Sequence, residues 1–491
     1  MKVKLAGFNI DFNQIIDFAD QLTSSNNLTE IKDKFSKIQF TPETISAAYA
    51  RISRSQKSVD KLRTISLEDV EEARKSNRSI VFEMGHSSIA EHAVFNFDII
   101  GISRYLTEYV QRTRLASFTE KSQRYVTLKG DYILPAEIKD DPEFRNEFIQ
   151  IIEKQNQTYL RLFEDLKSYY FKQNANGISS KKLSNKELEG KAKEDARYVL
   201  SLATQTQMGM TINARSIERL LKRLYAISFK EASEFADKIY YEVKSVAPSL
   251  IRYIKPSEYD KERYNTNSHF ETNSDGYKNK LLNYTTNCDE IVLATVLFRK
   301  TGDSWEDLLK IVKQMTFREK RNHILDSLEN ISSYDSLPRE FELADFIFQL
   351  NISASCFAQL KRHRMSTIIT SDYKTDYGYT IPESIKVIDK QDVFAQIIGE
   401  TEKFYTKLTK TYPNVKNYIL TNAHHKLVIF KLNLRELYNF ARLREDSHAQ
   451  WEIRELAYEI AYECIKVAPL TTMLICGKDE FKKVFEKIFK Q

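Results

Sequence analysis

Apolar and polar residues partly alternate along Ala93-Val94-Phe95-Asn96-Phe97-Asp98-Ile99, the period of a half-buried strand, and Phe346-Ile347-Phe348-Gln349-Leu350 matches this in the second half of the chain. A helical pattern precedes each run, at residues 66–77 and 305–314. After each run a helix leads into an Arg-x-Arg tripeptide, Arg112-Thr113-Arg114 or Arg362-His363-Arg364. Two long amphipathic helices then close each half. They are clearest at 430–443 and 452–467, where apolar residues recur at helical spacing. Strands set among long helices predict an α+β fold.

The halves read as a duplication. Ala48-Tyr49-Ala50-Arg51 is echoed by Val296-Leu297-Phe298-Arg299, and Tyr132-Ile133-Leu134-Pro135 by Tyr379-Thr380-Ile381-Pro382. Asn213 pairs with Asn433, and Val246-Ala247-Pro248 with Val467-Ala468-Pro469. Residues 172–190, rich in Asn, Ser and Lys, read as a solvated loop absent from the second copy. Residues 263–287 are poor in apolar periodicity and read as a polar linker between copies at 1–262 and 288–491. Two copies make a tandem rather than a solenoid.

Composition narrows the class. A chain of 491 residues with 42% hydrophobic and 29% charged residues has the make-up of a soluble multi-domain protein. A net charge of +6 suits a small anionic substrate and gives little support to nucleic-acid binding. Cys288, Cys356, Cys464 and Cys476 form no Cys-x-x-Cys pair. They read as buried thiols of a reducing compartment, with no metal site expected. The N-terminus has no apolar signal core, and no run approaches the ~20 apolar residues of a membrane span, so the expected location is the cytoplasm.

Arg112, Arg114, Glu120, Ser122 and Arg124 form a dense cluster that suits phosphate, because arginine forks bind its oxygens bidentately. A solvated basic surface would look the same. Arg444 follows Asn433 by eleven residues, about three helical turns, so the two share a face; ordinary polar decoration could do so too.

In combination the motifs are more specific. Gly85-His86-Ser87-Ser88-Ile89-Ala90-Glu91-His92, then Arg112-Thr113-Arg114, then Glu120-Lys121-Ser122-Gln123-Arg124-Tyr125, resemble the core of the flavin-dependent thymidylate synthases. The second half supplies an intact Arg362-His363-Arg364. It also has Asn433-Leu434-Arg435, Asn439, and Arg444 followed by Asp446-Ser447-His448-Ala449-Gln450-Trp451, which resemble that family's C-terminal motif. The resemblance covers both copies. It implies two tandem copies of that family's fold, a mixed or antiparallel sheet flanked by long helices. It also implies FAD as cofactor, dUMP as substrate, NADPH and methylenetetrahydrofolate as co-substrates, and a homodimer acting as a pseudo-tetramer, with no membrane or nucleic-acid partner.

Carried over residue by residue, Gln359, Arg362 and Arg444 form one side of the nucleotide site, and Glu120, Lys121, Ser122, Gln123, Arg124 and Arg197 the other. Arg444 is the candidate catalytic residue. Flavin contacts fall on Ser88, Glu120, Arg362, His363, Arg364, Asn433, Arg435 and Asn439. In the first copy the late-helix Arg aligns with Leu224, the preceding Asn with Arg219 and the Gln with Tyr109. In the second copy the Glu-x-Ser-x-Arg segment aligns with Thr370, Asp372 and Lys374, and the upstream Arg with Asn417. His86 and His92 align with Ser336 and Glu342. The losses are complementary, which predicts one working composite site built from both copies and one abandoned site. Another one-carbon transfer to a pyrimidine nucleotide, and a non-catalytic nucleotide- or nucleic-acid-binding role, remain alternatives.

Overall fold

A computed structural model describes residues 1–24, 39–126, 128, 130–176, 183–264 and 276–489. The chain divides into two compact units, one of the described residues of Met1–His269 with Ile388–Leu420, the other of those of Phe270–Val387 with Thr421–Gln491. Each unit is built on a four-stranded antiparallel sheet, and the two sheets have the same topology. In the first unit β1 (Lys2–Phe8), β2 (Val94–Ser103), β3 (Ala116–Glu120) and β4 (Gln205–Asn213) lie in the order β1-β2-β4-β3. In the second, β5 (Lys280–Tyr284), β6 (Asp345–Ser353), β7 (Thr367–Tyr373) and β8 (His425–Asn433) lie in the order β5-β6-β8-β7. Phe95, Phe97 and Ile99 of β2 and Met208, Met210 and Ile212 of β4 are buried, whereas Asn96, Asp98, Gln207 and Thr211 are exposed. One face of the sheet therefore makes core, as the alternation predicts. Phe346, Phe348, Leu350, Val428, Phe430 and Leu432 do the same in the second unit.

The duplication extends to the joints. Ser103 and Ser353 end β2 and β6 and cap the helices α1 (Arg104–Val110) and α2 (Ala354–Leu360), accepting from Leu106 N and Cys356 N at 2.9 and 3.0 Å. Each serine hydroxyl also donates to a buried or half-buried glutamate, Glu231 at 2.6 Å and Glu452 at 2.5 Å. Asn213 and Asn433 end β4 and β8 and cap α3 (Ala214–Tyr225) and α4 (Leu434–Arg444) in the same manner.

Several sequence expectations shift. Residues 430–433 belong to β8 and the helix starts only at Leu434, because Asn433 switches the buried period from two to 3.6. The range read as linker contains β5, which pairs with β6 as β1 pairs with β2; its residues 265–275 lie outside the described set. Within 172–190 the helix Pro142–Ala175 runs on to Ala175 and another, Asn185–Ala196, starts behind a Ser184 capping box; residues 177–182 are not described. The helix Gln391–Thr411, part of the second copy in sequence, belongs to the first compact unit and packs on Pro142–Ala175. Gln155 Nε2 donates to Thr401 Oγ1 at 2.8 Å there, and Phe148 meets Phe404. Among the described residues no helix is long and apolar enough to cross a membrane.

Candidate active site

The second unit assembles the base-side candidates around His363. Its ring is buried at the turn that follows α2, where His363 N donates to Leu360 O at 3.0 Å. Helix α4 brackets this ring from both ends. Glu436, in its first turn, lies 3.4 Å from His363 Nδ1, and Arg444, in its last, donates from Nε to His363 Nε2 at 2.9 Å. Arg444 Nη2 donates to Gln359 O at 3.2 Å. Burial pushes the His363 pKa down, and the charges of Arg444 and Arg362 push the same way against Glu436, so the ring is neutral. Because Nε2 accepts from Arg444, Nδ1 carries the proton and points it at Glu436. Gln359 is buried and donates to Gln450 Oε1 at 3.3 Å, and Gln450 caps the helix Trp451–Val467.

The flavin candidates in this unit spread over three settings. Arg362 and Asn439 are exposed and Arg364 is half-buried. Asn433 uses its side-chain oxygen to cap α4. Arg435 donates to Leu337 O at 2.6 Å and pairs with Glu342 at 2.8 Å, so it braces the strand entry.

Glu445, immediately after Arg444, is a functional candidate that the sequence did not flag. Its carboxyl is buried, its Oε1 has no hydrogen-bond partner among the described residues, and burial pushes its pKa up to about 7. The C-terminal segment closes over this turn at Gly477. A Cβ there would lie 2.8 Å from Glu445 C, Asp446 N and Asp479 Oδ1. Gly477→Ala should therefore cost about 1–3 kcal/mol, read as a lower urea midpoint. An unchanged midpoint would mean that the segment yields freely.

The first unit assembles the phosphate-side candidates. β3 ends at Glu120, whose two oxygens accept from Arg104 Nη1 at 2.7 Å and Gln111 Nε2 at 2.9 Å. The chain then leaves the sheet in a turn where Ser122 Oγ accepts from Arg124 N at 3.1 Å. Arg124 forms an ion pair with Glu194, and the buried Arg197 donates from Nε to Glu194 O at 3.2 Å. Burial raises the Glu194 pKa while the two guanidiniums pull it down. Gln123 is buried beside this cluster in sequence, and Lys121 is exposed. In the second copy β7 runs on past the equivalent point, with Tyr373 still paired to Lys426, so that strand occupies the place of the turn. This is the structural form of the loss seen at Thr370, Asp372 and Lys374.

Ser88 lines a separate cleft of about 530 Å³ in the first unit, with Tyr49, Ile52, Arg54, Ile80, His86 and His92. The Tyr49 and His92 rings meet edge-on at 4.8 Å, and Arg54 Nη2 lies 3.5 Å from His86 Nε2. Aromatic edges beside a guanidinium fit one end of a dinucleotide such as FAD. The pairing of the two histidines needs correction. Gly101 forms a bulge that gives β2 one more residue than β6, so before it the register moves by one. Glu342 is then the counterpart of Glu91, not of His92. The ion pairs agree, since Arg215 meets Glu91 as Arg435 meets Glu342.

A sequence profile described as thymidylate synthase complementing protein, Thy1, matches residues 38–249 and again 280–470. The chain belongs to the Thy1 family. It is 34% identical over 231 residues to a flavin-dependent thymidylate synthase of Clostridium tetani, covering 46% of this chain and 88% of that protein. It is 25% identical over 437 residues to a UPF0159 protein of Thermoplasma acidophilum, covering 80% of this chain and 86% of that one. A UPF0159 protein of Chlamydia muridarum is 22% identical over 443 residues, covering 82% and 80%. The match to two regions agrees with two tandem Thy1 copies in an α+β fold.

The first Thy1 copy keeps more of the base side than its alignment implies. Leu224 does hold the helical position of Arg444 and is buried. The preceding residue, Arg223, nevertheless donates from Nη2 to Tyr109 O at 3.1 Å and to Thr113 Oγ1 at 2.7 Å. These are the counterparts of Gln359 O and His363. Tyr109 and Asn417, which stand where the other copy has Gln359 and Arg197, are linked through Tyr105, whose hydroxyl lies 2.8 Å from Tyr109 OH and accepts from Asn417 Nδ2 at 2.9 Å. The Tyr105 side chain thus bridges the two.

Proposed function

We propose that this protein methylates dUMP reductively to dTMP, with the carbon taken from methylenetetrahydrofolate. C5 of the uracil ring gains the methylene carbon and loses its proton, and a hydride brings that carbon to the methyl level as tetrahydrofolate leaves. FAD, reduced by NADPH or another donor, supplies the hydride when bound. The observation that carries this reading is that each copy holds the side its sibling lacks. Arg444 is clamped by Gln359 O and a neutral His363 in the copy without the phosphate turn, while Arg124 and Arg197 flank Glu194 in the copy that has Leu224 at the Arg444 position.

Ser122, Arg124 and Arg197 grip the phosphate, and Arg444 stabilises the negative charge that the pyrimidine gains on N3 ionisation. No thiol nucleophile is needed. Burial raises the pKa of Cys288 and Cys476 to about 12 and that of Cys464 further, which fits a thiol-free activation.

The test is tritium release from C5-labelled dUMP. Release should require FAD, a reductant and the folate together, and its absence in the flavin-loaded protein would overturn the proposal. From the complementary losses, flavin absorbance against protein mass should give one FAD per chain; two would contradict a single working site. Sedimentation should give a homodimer, and an active monomer would refute the pseudo-tetramer.

A further inference from the structure

The replaced half of the first copy still carries two guanidiniums where the second copy has Arg362 and Arg444. Arg112 is exposed and stacks over the Tyr109 ring, with its central carbon 4.8 Å from the ring centroid. Arg223 reaches the counterparts of the backbone carbonyl and neighbouring side chain that Arg444 reaches, from one residue earlier on its helix.

The surroundings of Arg223 do not balance its charge. Both acceptors it uses are neutral, its Nε is buried without a hydrogen-bond partner among the described residues, and no carboxylate among them pairs with it. Burial lowers its pKa to about 10; the neighbouring Tyr264 phenol opposes this and the charge of Arg112 adds to it, so Arg223 stays cationic near neutral pH with Arg112 repelling it. A largely buried cation without a counter-charge is costly, and a chain that needed only a brace for Tyr109 O could use a neutral donor. A tetrahedral oxyanion would accept from both forks and offset that cost. The complete nucleotide grip is missing here, since Asn417 replaces the upstream Arg and Tyr105 bridges it to Tyr109.

We propose that the first copy binds a small oxyanion, inorganic phosphate or the phosphate end of a nucleotide, between Arg112 and Arg223. This site is distinct from the dUMP site proposed above and takes part in no chemical step. It makes the copy without a working site a ligand-binding half.

The test is titration calorimetry of the full chain with inorganic phosphate, dUMP and uridine. An Arg124→Ala background removes one of the two guanidiniums that grip phosphate at the proposed dUMP site and is needed whether or not the protein makes dTMP. The Arg124→Ala chain should retain one oxyanion site, and adding Arg223→Met should weaken it at least tenfold. Arg223→Met could disturb folding by freeing Tyr109 O, so Arg112→Gln, at an exposed position, is the second variant and should weaken binding likewise. Tighter binding of dUMP than of inorganic phosphate identifies a nucleotide as the source, and the reverse a free phosphate. No site in the Arg124→Ala chain, binding unchanged by Arg112→Gln, or uridine binding as well as dUMP would overturn the proposal.

Discussion

Glu445→Gln should stabilise the protein above pH 7 by up to about 3 kcal/mol and change little near pH 4. The buried Glu445 carboxyl has its pKa raised from the ordinary 4.5 to about 7 by burial alone. The native state therefore holds a proton at this site that the unfolded chain has already released between pH 4.5 and 7. Stability falls as pH rises through that window, and about 2.5 pH units at 1.36 kcal/mol each give the upper bound. The amide stays neutral at every pH, so the variant's stability curve should be flat where the parent's descends. A buried amide brings donors of its own, which offset part of the gain. Urea unfolding at pH 5 and pH 8 checks the sign. Equal differences between parent and variant at both values would show that Glu445 is solvated in the native state.

The same residue shows how the sequence and the structure divide the information. The motif residues were legible because their types are dense and their order unusual: Arg444 does meet the buried ring of His363 in Arg362-His363-Arg364, and Asn433 caps the helix that carries Arg444. The strand alternation was legible too, since one buried face forces it. Glu445 was not, because nothing in Arg444-Glu445-Asp446 says that Gly477 closes over it from the C-terminal segment. Arg223 escaped because alignment compares positions, whereas a guanidinium on a long stem reaches the counterpart carbonyl from a neighbouring position. The Gly101 bulge misled the pairing of His92 because an extra strand residue has no sequence mark beyond a glycine. β5 was hidden by its brevity: Lys280-Leu281-Leu282-Asn283-Tyr284 is a mostly exposed edge strand with little apolar pattern to read.

Arg444→Ala should lower turnover roughly a thousandfold while leaving the fold intact. The structural loss is small, because the side chain is half-buried and its two observed acceptors, Gln359 O and His363 Nε2, are neutral; that points to about 1–2 kcal/mol of stability. The catalytic loss is large because the guanidinium is proposed to act on charge that develops in the ring only during reaction, so it appears in kcat more than in KM. Arg444→Lys separates charge from geometry. An ammonium keeps the positive charge but lacks the fork that reaches Gln359 O and His363 together, so it should recover little of the lost rate. His363→Phe probes the clamp rather than the charge. Without an acceptor at Nε2 the guanidinium loses one of its two observed anchors, and turnover should fall by less than for Arg444→Ala, with flavin binding measured in parallel. A near-normal kcat in Arg444→Ala, with dUMP still bound, would remove Arg444 from the chemistry and leave it a brace between α4 and the turn after α2.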